Sequence, residues 1–88
     1  METFALGDSD RFRAWIKANP AAYVINYRSP NVMMLHRAYC ESFRGYAPDA
    51  NLTATTKLCS TDRSELVLWA AKVGGPDKLK LCKNCGPR

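Results

Sequence analysis

The sequence predicts an α+β fold, in which two helices pack against antiparallel strands of a small sheet. Two segments carry apolar side chains at helical spacing, and three segments are rich in the β-branched and aromatic residues that favour strands. The chain has 88 residues, of which 47% are hydrophobic. We expect one domain over residues 1–88, with a core so thin that a bound metal would matter for its stability.

The first predicted helix begins at Asp8 or Ser9, either of which can cap an exposed backbone N–H. It ends near Asn19, because the residue before a proline avoids helical geometry. Its apolar side chains recur at i, i+3 and i+4 spacing, at Phe12, Trp15 and Ile16. This helix is therefore expected to bury one face against the strands that follow it.

Three segments are predicted to form a three-stranded antiparallel β-meander, in which each strand pairs with the next: 22–28, 32–36 and 53–59. Residues 41–52 are rich in turn-forming residue types and are interpreted as a loop. Residues 1–8 show no clear pattern and are expected to be a disordered lead.

A second helix is predicted from Asp62 to Val73. Glu65, three residues after Asp62, completes the pattern of a capping box, in which each side chain answers the other's exposed backbone donor. The Gly-Gly-Pro run that starts at Gly74 ends the helix. Residues 78–81 are then predicted to lead, as a short strand, into the C-terminal tail.

Two pairs of residues have the spacing of metal ligands. Cys82 and Cys85 are separated by two residues, which forms a tight knuckle whose backbone N–H groups can point at the sulfurs. His36 and Cys40 are separated by three residues and can reach one ion from a single turn of backbone. Zn²⁺ accepts thiolate and imidazole ligands tetrahedrally. We therefore predict one Zn²⁺ held by His36, Cys40, Cys82 and Cys85.

Cys59 offers an alternative ligand set, in which it replaces His36 and the site has four sulfurs. It precedes a predicted helix, and a helix N-terminus stabilises a thiolate. The spacing of His36 from Cys40 favours the histidine, and Cys59 is interpreted as a small buried apolar residue.

The N-terminal segment opens with an acidic residue, has too short an apolar run for a signal peptide, and is followed by no transmembrane run. A cytoplasmic location is the resulting expectation. Because the cytoplasm keeps thiols reduced, a metal site is favoured over disulfides for the four cysteines.

The ligand pattern resembles the zinc-binding domain of the Ada DNA-repair protein. The likeness covers residues 32–88 and is carried by three segments: 36–40, 64–66 and 81–87. It implies a domain with a strand, a helix and a Cys-x-x-Cys knuckle around one zinc ion. Relatives of this kind that carry histidine as the first ligand occur attached to nucleases.

In the Ada family the first cysteine of the site accepts a methyl group from a DNA phosphotriester. The matching position in this sequence is His36, and a coordinated imidazole has no lone pair to offer as a nucleophile. The resemblance therefore implies DNA contact or a bare scaffold, without methyl transfer.

The leading functional hypothesis is a non-catalytic zinc module that binds nucleic acid, with DNA favoured, through its phosphates. The formal net charge is +5, and five cations lie within or beside the two ligand pairs. They are Arg37, Lys78, Lys80, Lys83 and Arg88.

The alternative hypothesis is a protein-interaction or regulatory module in which zinc only supports a docking face, with tyrosines as aromatic anchors. An enzyme is disfavoured, because the sequence has no second histidine, no convincing acid pair and no glycine-rich phosphate loop. Neither a small-molecule substrate nor a membrane partner is expected.

Overall fold

The structure is a computed structural model that describes residues 1–44 and 51–87. Within these residues the chain forms five strands and three helices, the mixed α+β composition that the sequence predicts. In chain order they are β1 (Glu2–Phe4), α1 (Ser9–Ala18), β2 (Tyr23–Ser29), β3 (Val32–Arg37), α2 (Glu41–Arg44), β4 (Thr56–Ser60), α3 (Arg63–Gly74) and β5 (Leu79–Leu81).

The strands form one mixed sheet in the order β1-β4-β2-β3-β5. All neighbouring pairs are antiparallel except β3 and β5, which are parallel. The predicted β-meander is wrong, because β4 pairs with β2 and not with β3. β2 is the central strand, and its Val24 and Ile25 are fully buried on opposite faces. A strand covered on both faces gains most from a partner on each side, which explains why β4 returns to β2.

The two edge strands tie the chain ends to the sheet. β1 pairs with β4, with Glu2 opposite Cys59, so the expectation of a disordered lead is wrong for residues 2–4. Phe4 is only 3% exposed, and its ring centroid lies 5.7 Å from that of Phe12. A three-residue strand has little local signal, and long-range pairing and burial determine its position.

The sheet separates two apolar clusters. α1 contributes Phe12 and Ile16 to the cluster on one face, which also holds Val24. α3 contributes Leu66 to the cluster on the other face, together with Ile25 and other strand residues. Because successive strand residues point to opposite faces, β2 supplies both cores.

The start of α3 differs in detail from the prediction. Asp62 caps the helix as expected, since its side chain accepts a hydrogen bond from the backbone N–H of Ser64 at 2.9 Å. The reciprocal half of the capping box does not form. The Asp62 N–H donates to Ser60 Oγ at 3.0 Å, and the Glu65 carboxylate lies 3.1 Å from the terminal ammonium of Met1. Glu65 therefore fastens the start of β1 to α3.

Among the described residues, no helix has the length and apolar character that crossing a lipid bilayer requires.

We expect Phe4→Ala to destabilise the protein by about 3 kcal/mol, because it removes a buried ring and leaves a cavity. The matched control is Leu6→Ala, which removes a side chain that is 75% exposed and should change stability by less than about 0.5 kcal/mol. Urea denaturation followed by circular dichroism measures both. Equal stability of the two variants would show that β1 does not pack in solution.

Candidate metal centre

Two elements, β3 and β5, bring the two ligand pairs together. His36 lies near the end of β3, and Cys40 follows after a short turn. β5 pairs in parallel with β3, with Leu81 opposite Leu35, and the N–H of Cys82 donates to the Leu35 carbonyl at 2.9 Å. Parallel pairing thus delivers the start of the knuckle beside His36.

The four side chains form one compact group of donors. One ligand atom from each of His36, Cys40, Cys82 and Cys85 can be chosen so that all lie within 4.8 Å of one another. The sulfurs of Cys40 and Cys82 are 3.9 Å apart. Tetrahedral coordination with metal–sulfur bonds of about 2.3 Å requires sulfurs separated by roughly 3.8 Å, so this pair has the right spacing.

His36 has the properties of a ligand. It is 6% exposed, and its Nδ1 is buried with no hydrogen-bond partner among the described residues. An unpartnered buried nitrogen is costly unless something binds it. Burial, with a smaller contribution from the nearby Lys57, lowers the pKa of His36, which keeps the imidazole neutral as a metal ligand must be.

Backbone N–H groups support the sulfurs of the knuckle. Burial acts to raise the pKa of the Cys82 thiol, but hydrogen bonds from the backbone of Cys85 and Asn84 outweigh it, so this pKa is lowered. At Cys85 burial dominates and raises the pKa, opposed by the Arg37 N–H, which donates to Cys85 Sγ at 3.2 Å. A bound dication stabilises both thiolates directly.

A left-handed glycine closes the knuckle against β3. Gly86 has φ +55°, and its N–H donates to the Cys82 carbonyl at 3.1 Å. Arg37 Nε donates to the Gly86 carbonyl at 3.1 Å. The backbone and side chain of Arg37 therefore both hold the C-terminal end of the knuckle.

Cys59 lies outside this group. In the sheet register Val24 is the partner of both Cys59 and His36, so a whole strand separates the two residues. Cys59 is fully buried, and burial raises the pKa of its thiol to about 12. The geometry gives no support to the ligand set in which Cys59 replaces His36. All four cysteines are free of disulfides.

The cations predicted to bind nucleic acid have different surroundings. Lys80 and Lys83 are exposed and Lys78 is half-buried. Arg37 is half-buried, with its guanidinium carbon 5.6 Å from the Tyr23 ring centroid. Its hydrogen bond to the Gly86 carbonyl makes it part of the support of the knuckle. Arg88 lies outside the described residues.

A second cation, Lys57, lies close to the centre and was not predicted from the sequence as part of it. Lys57 is only 5% exposed, and its ammonium donates to Asn26 Oδ1 at 2.7 Å and to the Thr55 carbonyl at 2.9 Å. Burial lowers the pKa of Lys57 to about 8. Its spacing of two from Cys59 places both residues on one face of β4, but only the strand order, in which Asn26 pairs with both Lys57 and Met34, brings Lys57 towards β3.

No family model, curated protein or solved structure matches this chain. The likeness to the Ada domain therefore rests on the ligand pattern alone, and the structure supports only the part of it that concerns a four-residue metal group.

We expect the purified chain to bind one metal ion, and Cys82→Ser or His36→Ala to abolish that binding. Metal loss should also unfold residues 32–88, because the group joins the two ends of this segment. Cys59→Ala is the matched control, since it removes a thiol outside the group and should keep the metal. Native mass spectrometry with elemental analysis measures the stoichiometry. Metal loss in Cys59→Ala alone would contradict this assignment.

Proposed function

We propose that this chain is a structural zinc-binding module. The observation that carries the proposal is the enclosed group of His36, Cys40, Cys82 and Cys85. Three thiolates and an imidazole form a ligand set that suits the borderline-soft Zn²⁺ ion. Four protein ligands fill a tetrahedral shell, which leaves no open position for a substrate and is typical of structural sites.

The energetic scale supports a structural role. Zinc in such sites binds with an apparent free energy of about 10–16 kcal/mol. A domain of this size has a net stability of only about 5–15 kcal/mol. Zinc binding would therefore determine whether β3, β5 and the knuckle hold together. X-ray absorption of the metal-loaded chain should show three sulfur ligands and one nitrogen, and four sulfurs would contradict the role of His36.

The partner that we propose for this module is nucleic acid, with DNA favoured, contacted through its phosphates. Supporting this are the net charge of +5 and the exposed Lys80 and Lys83, which flank the metal-binding residue Cys82. Lysines near phosphates position a duplex without reading its sequence. Lys78 extends the same edge of the sheet, whereas Arg37 is committed to the knuckle.

A protein partner is the second candidate, favoured by exposed apolar side chains close to the centre. Leu81 is 42% exposed on the edge strand β5, and Tyr39 is 45% exposed between His36 and Cys40. An edge strand also presents unpaired backbone groups that another chain can pair with. Docking by this route would be driven by apolar contact and would depend only weakly on salt.

Nucleic-acid binding should weaken with salt. If Lys78, Lys80 and Lys83 each touch a phosphate, log affinity against log salt should have a slope of about −3. Lys83→Glu should reduce the steepness of this slope by about one, and by the same amount for duplexes of unrelated sequence. The control is Lys72→Glu, an equal charge reversal on α3, which should leave the slope unchanged. Fluorescence anisotropy with a labelled duplex measures both, and salt-independent binding would favour the protein partner.

We propose that the module is not an enzyme and does not accept methyl groups from DNA phosphotriesters. His36 occupies the acceptor position of the Ada pattern, and the thiols of Cys40 and Cys82 are 1% and 5% exposed. Intact-mass analysis after incubation with methylphosphotriester DNA should show no added methyl group on the metal-loaded chain. A methyl group mapped to any of the ligand cysteines would contradict the proposal.

A further inference from the structure

A cavity of about 290 Å³, lined by both polar and apolar side chains, lies beside the candidate metal centre. Its floor is the sheet face that carries Asn26 of β2, His36 of β3 and Lys57 of β4. Its walls include Ser42 of α2 and, from the segment before β4, Asn51. The volume is close to the lower end of the range of small-molecule sites, about 300–1,000 Å³.

The hydrogen bonds of the two asparagines fix their amides so that each Nδ2 group is an unused donor. Asn26 Oδ1 accepts from the Lys57 ammonium, and Asn51 Oδ1 accepts from the backbone N–H of Thr53 at 3.2 Å and from Ser9 Oγ at 3.1 Å. An ammonium and a backbone N–H can only donate, so these contacts fix the orientation of both amides. Neither Nδ2 group has a hydrogen bond within residues 1–44 and 51–87.

The Lys57 ammonium, which lines the cavity, has one hydrogen-bond donor without a partner among the described residues. An ammonium has three N–H donors, and Lys57 uses two of them, on Asn26 and the Thr55 carbonyl. No carboxylate of the described residues lies within ion-pair distance of it. Among the groups that act on it electrostatically, Arg28 is a cation and Cys59 is a buried thiol held neutral. A buried charge without a counter-charge is costly.

His36 adds a further donor once a metal binds it. Coordination through one ring nitrogen leaves a hydrogen on the other, and metal-bound histidines almost always donate that hydrogen to an acceptor. His36 has no hydrogen bond to the described residues, so no such acceptor is supplied by them. Its ring lies against Phe43, at a centroid distance of 5.0 Å, and lines the cavity.

We propose that this cavity is a binding site for a small oxyanion, a carboxylate or a phosphate group, held by Lys57 and by the Nδ2 groups of Asn26 and Asn51. The oxyanion supplies the counter-charge that none of the described residues gives to Lys57, and it accepts the hydrogen bonds that the two amides and His36 can donate. This site is separate from the exposed lysines of the β5 edge, and it does not depend on nucleic-acid binding.

The test is a titration of the zinc-loaded full chain with inorganic phosphate and, in parallel, with acetate, followed by ¹H–¹⁵N spectra. Saturable shifts should appear in the side-chain amides of Asn26 and Asn51 and in the backbone amide of Lys57. The tighter of the two probes identifies the class of oxyanion. Lys57→Met should weaken binding about ten-fold or more, because it removes a charge-assisted hydrogen bond.

A second variant keeps the proposal testable if Lys57→Met alters the fold. Asn51→Asp keeps an oxygen for the Thr53 N–H but replaces the donating Nδ2 by a second carboxylate oxygen, which should repel the oxyanion. The matched controls carry the same charge changes elsewhere: Lys72→Met on α3 and Asn31→Asp in the β2–β3 turn, both exposed. Neither control should change the affinity by more than about two-fold.

Three outcomes would overturn the proposal. The first is the absence of saturation with either probe up to a concentration of about 10 mM. The second is a set of shifts centred on Lys78, Lys80 and Lys83, which would indicate surface binding. The third is a loss of zinc from Lys57→Met in a buffer that contains no oxyanion, which would identify the ammonium as the counter-ion of the zinc–thiolate group.

Discussion

The parallel pairing of β3 with β5 is the contact on which the metal centre depends. It is a short contact, because β5 has only three residues and forms one edge of the sheet. Its last hydrogen bond, from the Cys82 N–H to the Leu35 carbonyl, places the knuckle next to His36. Strand pairing at an edge is weak by itself, since one side of the strand has no partner. A metal ion bound by residues at or just after the ends of β3 and β5 would stabilise their pairing. The pairing in turn preorganises the ligands.

The same dependence explains the double role of Arg37. Its backbone N–H donates to Cys85 Sγ, and its side chain donates to the Gly86 carbonyl. Its guanidinium also lies over the rings of Tyr23 and Tyr39, at 5.6 and 5.9 Å from their centroids. From the sequence, this arginine is predicted to contact a phosphate, because it lies between two predicted metal ligands, His36 and Cys40. The structure shows that the same arginine makes contacts that hold the C-terminal segment on the sheet.

Local sequence patterns predicted the elements whose formation depends on residues close together in the chain. The helices α1 and α3 and the β2–β3 hairpin follow from periodicity, a capping aspartate and a proline-containing turn. The spacing of His36, Cys40, Cys82 and Cys85 was enough to nominate the group that the structure brings together. The strand order could not be predicted in this way. β4 pairs with β2 because that pairing buries β2, and the two strands are far apart in the sequence. β1 was not predicted because it too depends on contacts distant in the chain: Phe4 is held in place by packing against Phe12.

The candidate metal centre and the proposed oxyanion site share one residue, His36, and this makes their energetics interdependent. An acceptor on the second ring nitrogen of a metal-bound histidine orients the ring and raises its basicity as a ligand. An oxyanion in the cavity would therefore strengthen metal binding, with Lys57 balancing the added charge. Linkage requires the reverse effect to be equal, so the metal would strengthen oxyanion binding by the same factor. Lys57, a buried lysine near the candidate ligand His36, is unfavourable for the isolated fold. With an oxyanion bound, it would become the residue through which a ligand acts on the stability of the domain.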